Sequence, residues 1–237
     1  MRYIPVILSA LAAAGLAVWC GFVCWYDYGL WSLTVYASII AAFPLSSLLH
    51  ELGHMLFGLF CKIKAVPDFR PFGSSSCSLM PRGDKSLKTR VCVTAAGGLI
   101  VNAAFAALGL VALCVPACPS YLCAFLPASA YLLVLNAFPA VYSGGKTDGL
   151  VILGMMLGDD ESKVTLAVMT VQAQLADGKS IGEIDENLLF GVPQISEDEE
   201  AFIALTELRY EYCNAKGDGE KAEFYKRRFE ELKEEYL

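Results

Sequence analysis

Four unbroken apolar runs, at 4–26, 33–60, 91–115 and 121–139, limit what this chain can fold into. A helix needs roughly 20 apolar residues to cross about 30 Å of hydrocarbon, and each run is near or above that length. The apolar residues come in blocks, not in the periodic stripes with which soluble helices cover an aqueous-facing core. The expected fold is therefore an all-α polytopic membrane protein with about four transmembrane helices. A fifth run, 149–158, is too short to cross alone. Composition agrees, since 56% hydrophobic residues and a mean hydropathy of +0.49 are high for a soluble domain.

Charge divides the chain. Residues 1–158 hold five acids and nine Lys or Arg, while 159–237 hold twenty acids and nine Lys or Arg, giving +4 and −11 within the total of −7. The acidic end reads as a solvated domain and argues against nucleic acid as a partner. Lys62, Lys64, Arg70, Arg82, Lys85, Lys88 and Arg90 crowd one loop, whereas the 27–32 and 116–120 connections carry no cation. By the positive-inside bias the 61–90 loop is cytoplasmic, and counting outward places both termini there too, as Arg2 agrees. The first run ends in Trp25-Tyr26-Asp27-Tyr28 and not in a small-residue cleavage site, so it reads as a retained helix with an aromatic belt. The nine cysteines contain no CxxC pair, which removes a zinc ribbon or redox motif. Most read as small buried apolar residues, although Cys20, Cys24, Cys114, Cys118 and Cys123 gather near the outer ends of spans, where a disulfide is chemically allowed.

Within the second run stand the chain's two histidines, in His50-Glu51-Leu52-Gly53-His54. Side chains at i and i+4 lie over one another on a helix, so both imidazoles can grip one metal ion. At 1.5 Å per residue Lys62 is about 18 Å along the axis and Trp31 about 28 Å the other way, which puts the pair inside the membrane, nearer the cytoplasm. Ionisable groups there are costly and mark function by default. The plainer alternative, two packing histidines with Glu51 neutralised by a cation, finds no cation: 32–60 holds no other charge and 91–139 no Lys or Arg. The HExxH spacing points to Zn²⁺, with Glu51 as the group that handles a proton.

Catalytic zinc usually takes three protein ligands. With no third histidine, the acids of 1–158 are the candidates: Asp27 at the outer surface, Asp68 and Asp84 in the basic loop, and Asp148 between apolar segments. Elimination favours Asp148. Its surroundings, from Asn136 through Pro139, Gly144 and Gly145 to Gly149, break the fourth run, and irregular backbone at membrane depth survives only where protein buries it or it lines a wet cavity. The alternative is a plain cytoplasmic turn after the fourth span.

These residues resemble the site-2 protease (M50-type) intramembrane zinc metalloproteases. His50, Glu51 and His54 match HExxH; Gly98 to Asn102 matches a G-x-x-x-N element; Asn136-Ala-Phe-Pro139 followed by Asp148-Gly149 matches an Asn-x-x-Pro…Asp-Gly element. The likeness covers about residues 33–158. It departs from the family pattern in one respect, because eight residues separate Pro139 from Asp148 where the family has only a few. The resemblance implies a three-helix protease core with Glu51 catalytic, His50, His54 and Asp148 on the metal, and Asn102 and Asn136 supporting substrate or transition state. For both asparagines the alternative is interhelical hydrogen bonding beside small residues. It also implies a membrane-protein substrate and peptide-bond hydrolysis in or near a transmembrane segment.

Three domains are expected: 1–32 as an N-terminal helix with its outer turn, 33–158 as the membrane core, and 159–237 as an acidic cytoplasmic helical domain able to hold a protein partner. The loop around Phe69–Pro81 is Pro- and Ser-rich and reads as extended or hairpin structure, either pairing with a substrate strand or resting on anionic headgroups. The tail shows helical periodicity at 164–175 and two antiparallel helices joined at Gly217-Asp218-Gly219. The expected location is a bacterial cytoplasmic membrane. The rival reading is a proteolytically inactive metal-binding scaffold; a transporter is disfavoured because no repeated halves are visible.

Overall fold

The structure, a computed structural model, describes residues 4–70, 75–115, 120–142 and 145–236. Arg2, Cys118 and the loop tips at 71–74 and 143–144, all used in the sequence reading, lie outside the described residues. Of the described residues 77% are helical. It divides into two compact units, one of Met1–Cys61, Ala65–Ser78 and Cys92–Leu153, the other of Lys62–Lys64, Leu79–Val91 and Gly154–Leu237.

Among the described residues three helices are long and apolar enough to cross a membrane: α1 (Ile4–Tyr28), α2 (Leu33–Phe60) and α3 (Leu87–Cys114). Their exposed side chains are apolar, among them Leu8, Leu11, Val18 and Phe22 on α1 and Ile40, Leu59 and Phe60 on α2. An apolar exterior of this extent is what lipid, not water, stabilises. The fourth apolar run is shorter as a helix than as a sequence: a 3-10 turn (Ser120–Ala124) leads into α4 (Phe125–Ala137), which stops before Pro139. Proline lacks the donor that would continue the helix, and it biases the preceding residue towards extended backbone. Accordingly Phe138 caps α4 at φ −73° and ψ 126°.

Small residues set the helix spacing in the first unit. A Cβ on Gly53 of α2 would meet the Gly97 carbonyl oxygen of α3 at 2.6 Å, and a Cβ on Gly97 would meet the Gly53 oxygen at the same 2.6 Å. The two backbones touch where a methyl group cannot fit, a contact that only glycine allows in a membrane bundle. Nearby, Ser46 Oγ of α2 lies 3.2 Å from Ser129 Oγ of α4, both fully buried. This hydroxyl pair satisfies two polar groups that hydrocarbon would leave alone. The apolar centre of the unit is built from Val35, Ile39, Ala42, Ala112, Ala124, Leu126 and three cysteines.

The basic loop forms a two-stranded hairpin of β1 (Ile63–Asp68) and β2 (Ser76–Pro81), as its Pro- and Ser-rich sequence suggested. Its base is gathered by Arg90, which donates to the carbonyls of Arg82 at 2.6 Å, Gly83 at 2.7 Å and Lys62 at 2.8 Å. A single guanidinium thereby closes the turn backbones on both sides. A second, smaller antiparallel pair, β3 (Val141–Tyr142) with β4 (Gly145–Lys146), precedes α5 (Asp148–Leu157).

The second unit has the anatomy of a water-soluble helical domain. It contains α6 (Asp160–Ala176), α7 (Glu186–Phe190), α8 (Glu200–Lys216) and α9 (Gly219–Tyr236) around Val164, Val171, Leu189, Leu205 and Leu208. Asp159 caps α6, accepting from Ser162 N at 2.8 Å. The α8–α9 turn has its left-handed residue at Gly217, φ 76°, and Asp218 then accepts from Lys221 N at 3.2 Å to start α9. The Lys221 ammonium beside it holds the Asp218 carboxyl below its usual range. The short α7 and the Ser180–Glu183 capping box before it escaped the sequence reading, since five helical residues carry too little periodicity to register. Arg209 fastens α7 to α8, donating to Leu189 O at 2.8 Å and stacking 5.5 Å from the Phe190 ring.

The glycine crossing yields a paired prediction. Gly97→Ala forces α2 and α3 apart and lowers the unfolding temperature in detergent, at a cost of about 1–3 kcal/mol for overpacking. Gly15→Ala on α1, where nothing lies within 4 Å of an added Cβ, leaves it unchanged or slightly raised.

Candidate metal centre

The buried residues of α2 recur every three or four positions, from Val35, Ile39, Ala42 and Ser46 to His50, Glu51, Gly53 and His54. One helical face therefore carries first a packing seam and then the polar cluster. His50 and His54 are each 5% exposed and Glu51 is 4% exposed.

The two imidazoles converge through their Nε2 atoms, 3.2 Å apart. Asp148, at the first position of α5, turns one carboxylate oxygen to each imidazole: Oδ2 lies 3.2 Å from His50 Nε2 and Oδ1 lies 3.4 Å from His54 Nε2. The three residues form a group able to hold a metal ion. Ligand atoms about 2.0–2.1 Å from a tetrahedrally bound ion stand about 3.3 Å from one another; the nearest pairs here are at 3.2–3.4 Å, and one ligand atom from each residue lies within 4.8 Å of the others.

Hydrogen bonds behind the ring nitrogens explain why the Nε2 atoms are available. His54 Nδ1 donates to the Thr94 carbonyl at 2.9 Å, which fixes the tautomer and leaves Nε2 with its lone pair. At His50 Nδ1 stands the Asn102 amide, its Nδ2 2.9 Å away and its Oδ1 buried without a partner. The two ends of an amide exchange by rotation. Turned over, Oδ1 accepts from His50 Nδ1 and frees that Nε2 as well. Two imidazole lone pairs and a carboxylate then face one point, and Asp148 Oδ2 and Glu51 Oε2 are both buried without a hydrogen-bond partner. Such a gathering of acceptors is repulsive unless a cation stands among them, so the donor set fits a metal.

Backbone close to the cluster is shaped to admit it. A Cβ on Gly98 would lie 2.6–2.7 Å from three ring atoms of His50, so the imidazole occupies space that any other residue would fill. Asp148 is delivered by the β3–β4 pair. Its register, Val141 opposite Lys146 and Tyr142 opposite Gly145, folds the inserted residues back on themselves. Thr147, 4% exposed, then closes the excursion: its hydroxyl donates to Phe138 O at 2.7 Å and accepts from Ala140 N at 3.1 Å and Leu150 N at 3.3 Å. The last of these is the bond an N-cap residue makes to the start of a helix. Gly149 lets this start approach α4, because a Cβ there would collide with the Ala137 carbonyl oxygen.

Of the residues singled out in the sequence, His50, His54 and Asp148 meet, Glu51 is buried next to His50 in the chain, and Asn102 touches His50. Asn136 points elsewhere: its Nδ2 donates to Leu132 O at 3.1 Å on its own helix. Gly98, Thr94 and Thr147 are structural supports of the cluster that the sequence reading missed. Gly98 stood inside a quoted motif without its steric role, Thr147 adjoins Asp148, and Thr94 acts through a carbonyl that no residue type can signal. From the β1–β2 hairpin, Ser75 Oγ lies 3.4 Å from Ser47 Oγ of α2. On β2, Cys77 lies close enough to feel the carboxylates; burial first, then the charges of Glu51 and Asp148, push its thiol up to about 12.

Compared with protein-family models, with curated proteins and with solved structures, the chain matches none. What the residues define is a membrane-type helical protein with a buried candidate metal site of two histidines and an aspartate.

Two substitutions test the supports. Thr147→Val, which keeps the shape but removes the three hydroxyl bonds, lowers metal affinity roughly 10–100-fold, while Thr147→Ser retains it. Gly98→Ala displaces the His50 ring and produces a loss of the same order. Competition against a chromogenic chelator measures both.

Proposed function

We propose that the chain is an intramembrane zinc metalloprotease of the site-2 type, hydrolysing peptide bonds in or near transmembrane segments of membrane proteins. The observation that carries the proposal is the meeting of His50 Nε2, His54 Nε2 and the Asp148 carboxylate, one ligand atom from each within 4.8 Å of the others, beside a buried Glu51 whose Oε2 has no hydrogen-bond partner. Three N/O ligands with a fourth position left for water is the arrangement of catalytic rather than structural zinc. Bound zinc would supply Lewis acidity, polarising a peptide carbonyl and making water a nucleophile near neutral pH.

The remaining chemistry belongs to the chain. Glu51, next to His50 in sequence and without a cation to neutralise it, accepts a proton from the attacking water as its oxygen adds to the peptide carbonyl carbon. When the C–N bond breaks, the same carboxyl returns that proton to the leaving amine, so one water is consumed and an acid and an amine are formed. Asn102 and Thr94 orient the imidazoles, and Thr147 holds Asp148 at the head of α5. The apolar setting of α2 strengthens each of these electrostatic contacts relative to water.

On this reading the short α4 with its 3-10 turn serves as the fourth span, and both termini face the cytoplasm of a bacterial cell. The 159–237 domain then lies where a soluble partner can reach it. An inactive metal-binding scaffold would use the same three ligands but would have no need of Glu51.

Activity separates the two. Wild type purified in detergent is expected to hold about one zinc per chain and to cleave a single-span model substrate. Glu51→Gln keeps its zinc and loses about 10²–10⁴-fold in rate, the range for removing a general base. Asp148→Asn loses both. Cleavage by Glu51→Gln at the wild-type rate sinks the mechanism, and a zinc-loaded wild type that cleaves no membrane substrate favours the scaffold.

A further inference from the structure

Away from the metal centre, three thiols meet in the first unit. Cys20 and Cys24, four residues apart, lie on one face of α1, and Cys123 lies in the 3-10 turn leading to α4. Cys24 Sγ is 3.9 Å from Cys123 Sγ, and Cys20 Sγ is 3.7 Å from the Cys123 carbonyl oxygen. All three are between 0% and 2% exposed. Their surroundings, Val35, Ile39, Ala112, Ala124 and Leu126, are apolar.

Packing alone does not ask for sulfur on both sides of a helix contact. Alanine or valine would fill the same space, and a thiol adds only a weak hydrogen bond. What a thiol pair in contact does add is chemistry: sulfurs 3.9 Å apart can close to an S–S bond of about 2.05 Å when the side chains turn towards each other. The two residues are 99 apart in sequence, so a bond between them would fasten α1 to the head of α4 across most of the membrane unit.

We propose that Cys24 and Cys123 are a reversible dithiol–disulfide pair, present here in the thiol form, that locks α1 onto the start of α4. Oxidation proceeds by exchange with an external disulfide. One cysteine thiolate attacks that disulfide, releasing a first thiol and leaving a mixed disulfide; the other cysteine attacks the mixed disulfide and releases a second thiol. One disulfide is thus reduced to two thiols while two cysteines are oxidised to one, and the two protons leave with the released thiols. Because the pair is closed to water when packed, exchange requires α1 and the turn to part, and the bond once formed is shielded from reductant. A cross-link over so long a loop removes many open arrangements of the unlinked chain. The proposal is independent of the metal reading.

Membranes containing the full chain are treated with oxidised glutathione, dissolved in SDS with N-ethylmaleimide, and then analysed for thiols and linked peptides. Two of the nine cysteines are expected to become unreactive until reduced. Mass spectrometry is expected to find them as a Cys24–Cys123 peptide pair. Cys24→Ala and Cys123→Ala each abolish the loss, and Cys20→Ala preserves it. Nine reactive thiols in the oxidised wild type, or a linkage joining any other pair, overturns the proposal; this readout on wild type stands even where a variant fails to fold.

Discussion

Acceptors that point at one another in an apolar interior must be answered by a cation, and the membrane unit is organised around that demand. His50, His54 and Asp148 bring one such atom each within 4.8 Å of the others. Every nearby feature either holds one of these groups in place or makes room for it. Gly98 gives up its side chain to the His50 ring, and Thr94 gives a carbonyl to the far nitrogen of His54. The Gly53–Gly97 contact brings α3 close enough for both to reach.

Much of this was legible in the chain. The i, i+4 spacing of His50 and His54 places two candidate ligands because helical geometry is rigid and local, so spacing alone determines that the imidazoles share a face. The apolar runs located α1, α2 and α3 because bilayer thickness imposes their length. Asp148 was reached by elimination, a method that works only where acids are scarce. The sequence could not show the supports. Thr94 contributes a main-chain oxygen, and Thr147 works through three bonds to backbone atoms at 138, 140 and 150. Asn136 was given two readings from sequence, and near the end of α4 its amide donates to a carbonyl one turn back on the same helix.

The two units rest on different physics. In the first, close approach comes from glycine and paired hydroxyls, because lipid offers no hydrophobic incentive for helices to associate. In the second, Val164, Leu189, Leu205 and Leu208 make an ordinary apolar core, with caps and a left-handed glycine turn setting the helix ends. Sequence reading was strong in the second unit wherever helices exceeded two or three turns, and it failed for α7.

The β3–β4 pair also changes what a spacing can mean. Since Thr147 bonds back to Phe138 and Ala140, the residues between leave and return at nearly the same place. The distance along the chain from Pro139 to Asp148 is therefore decoupled from the distance in space. That interval could lengthen or shorten by whole rungs of the hairpin without moving the carboxylate. A pattern that fixes the number of residues there measures an ornament of the loop, not the geometry of the site.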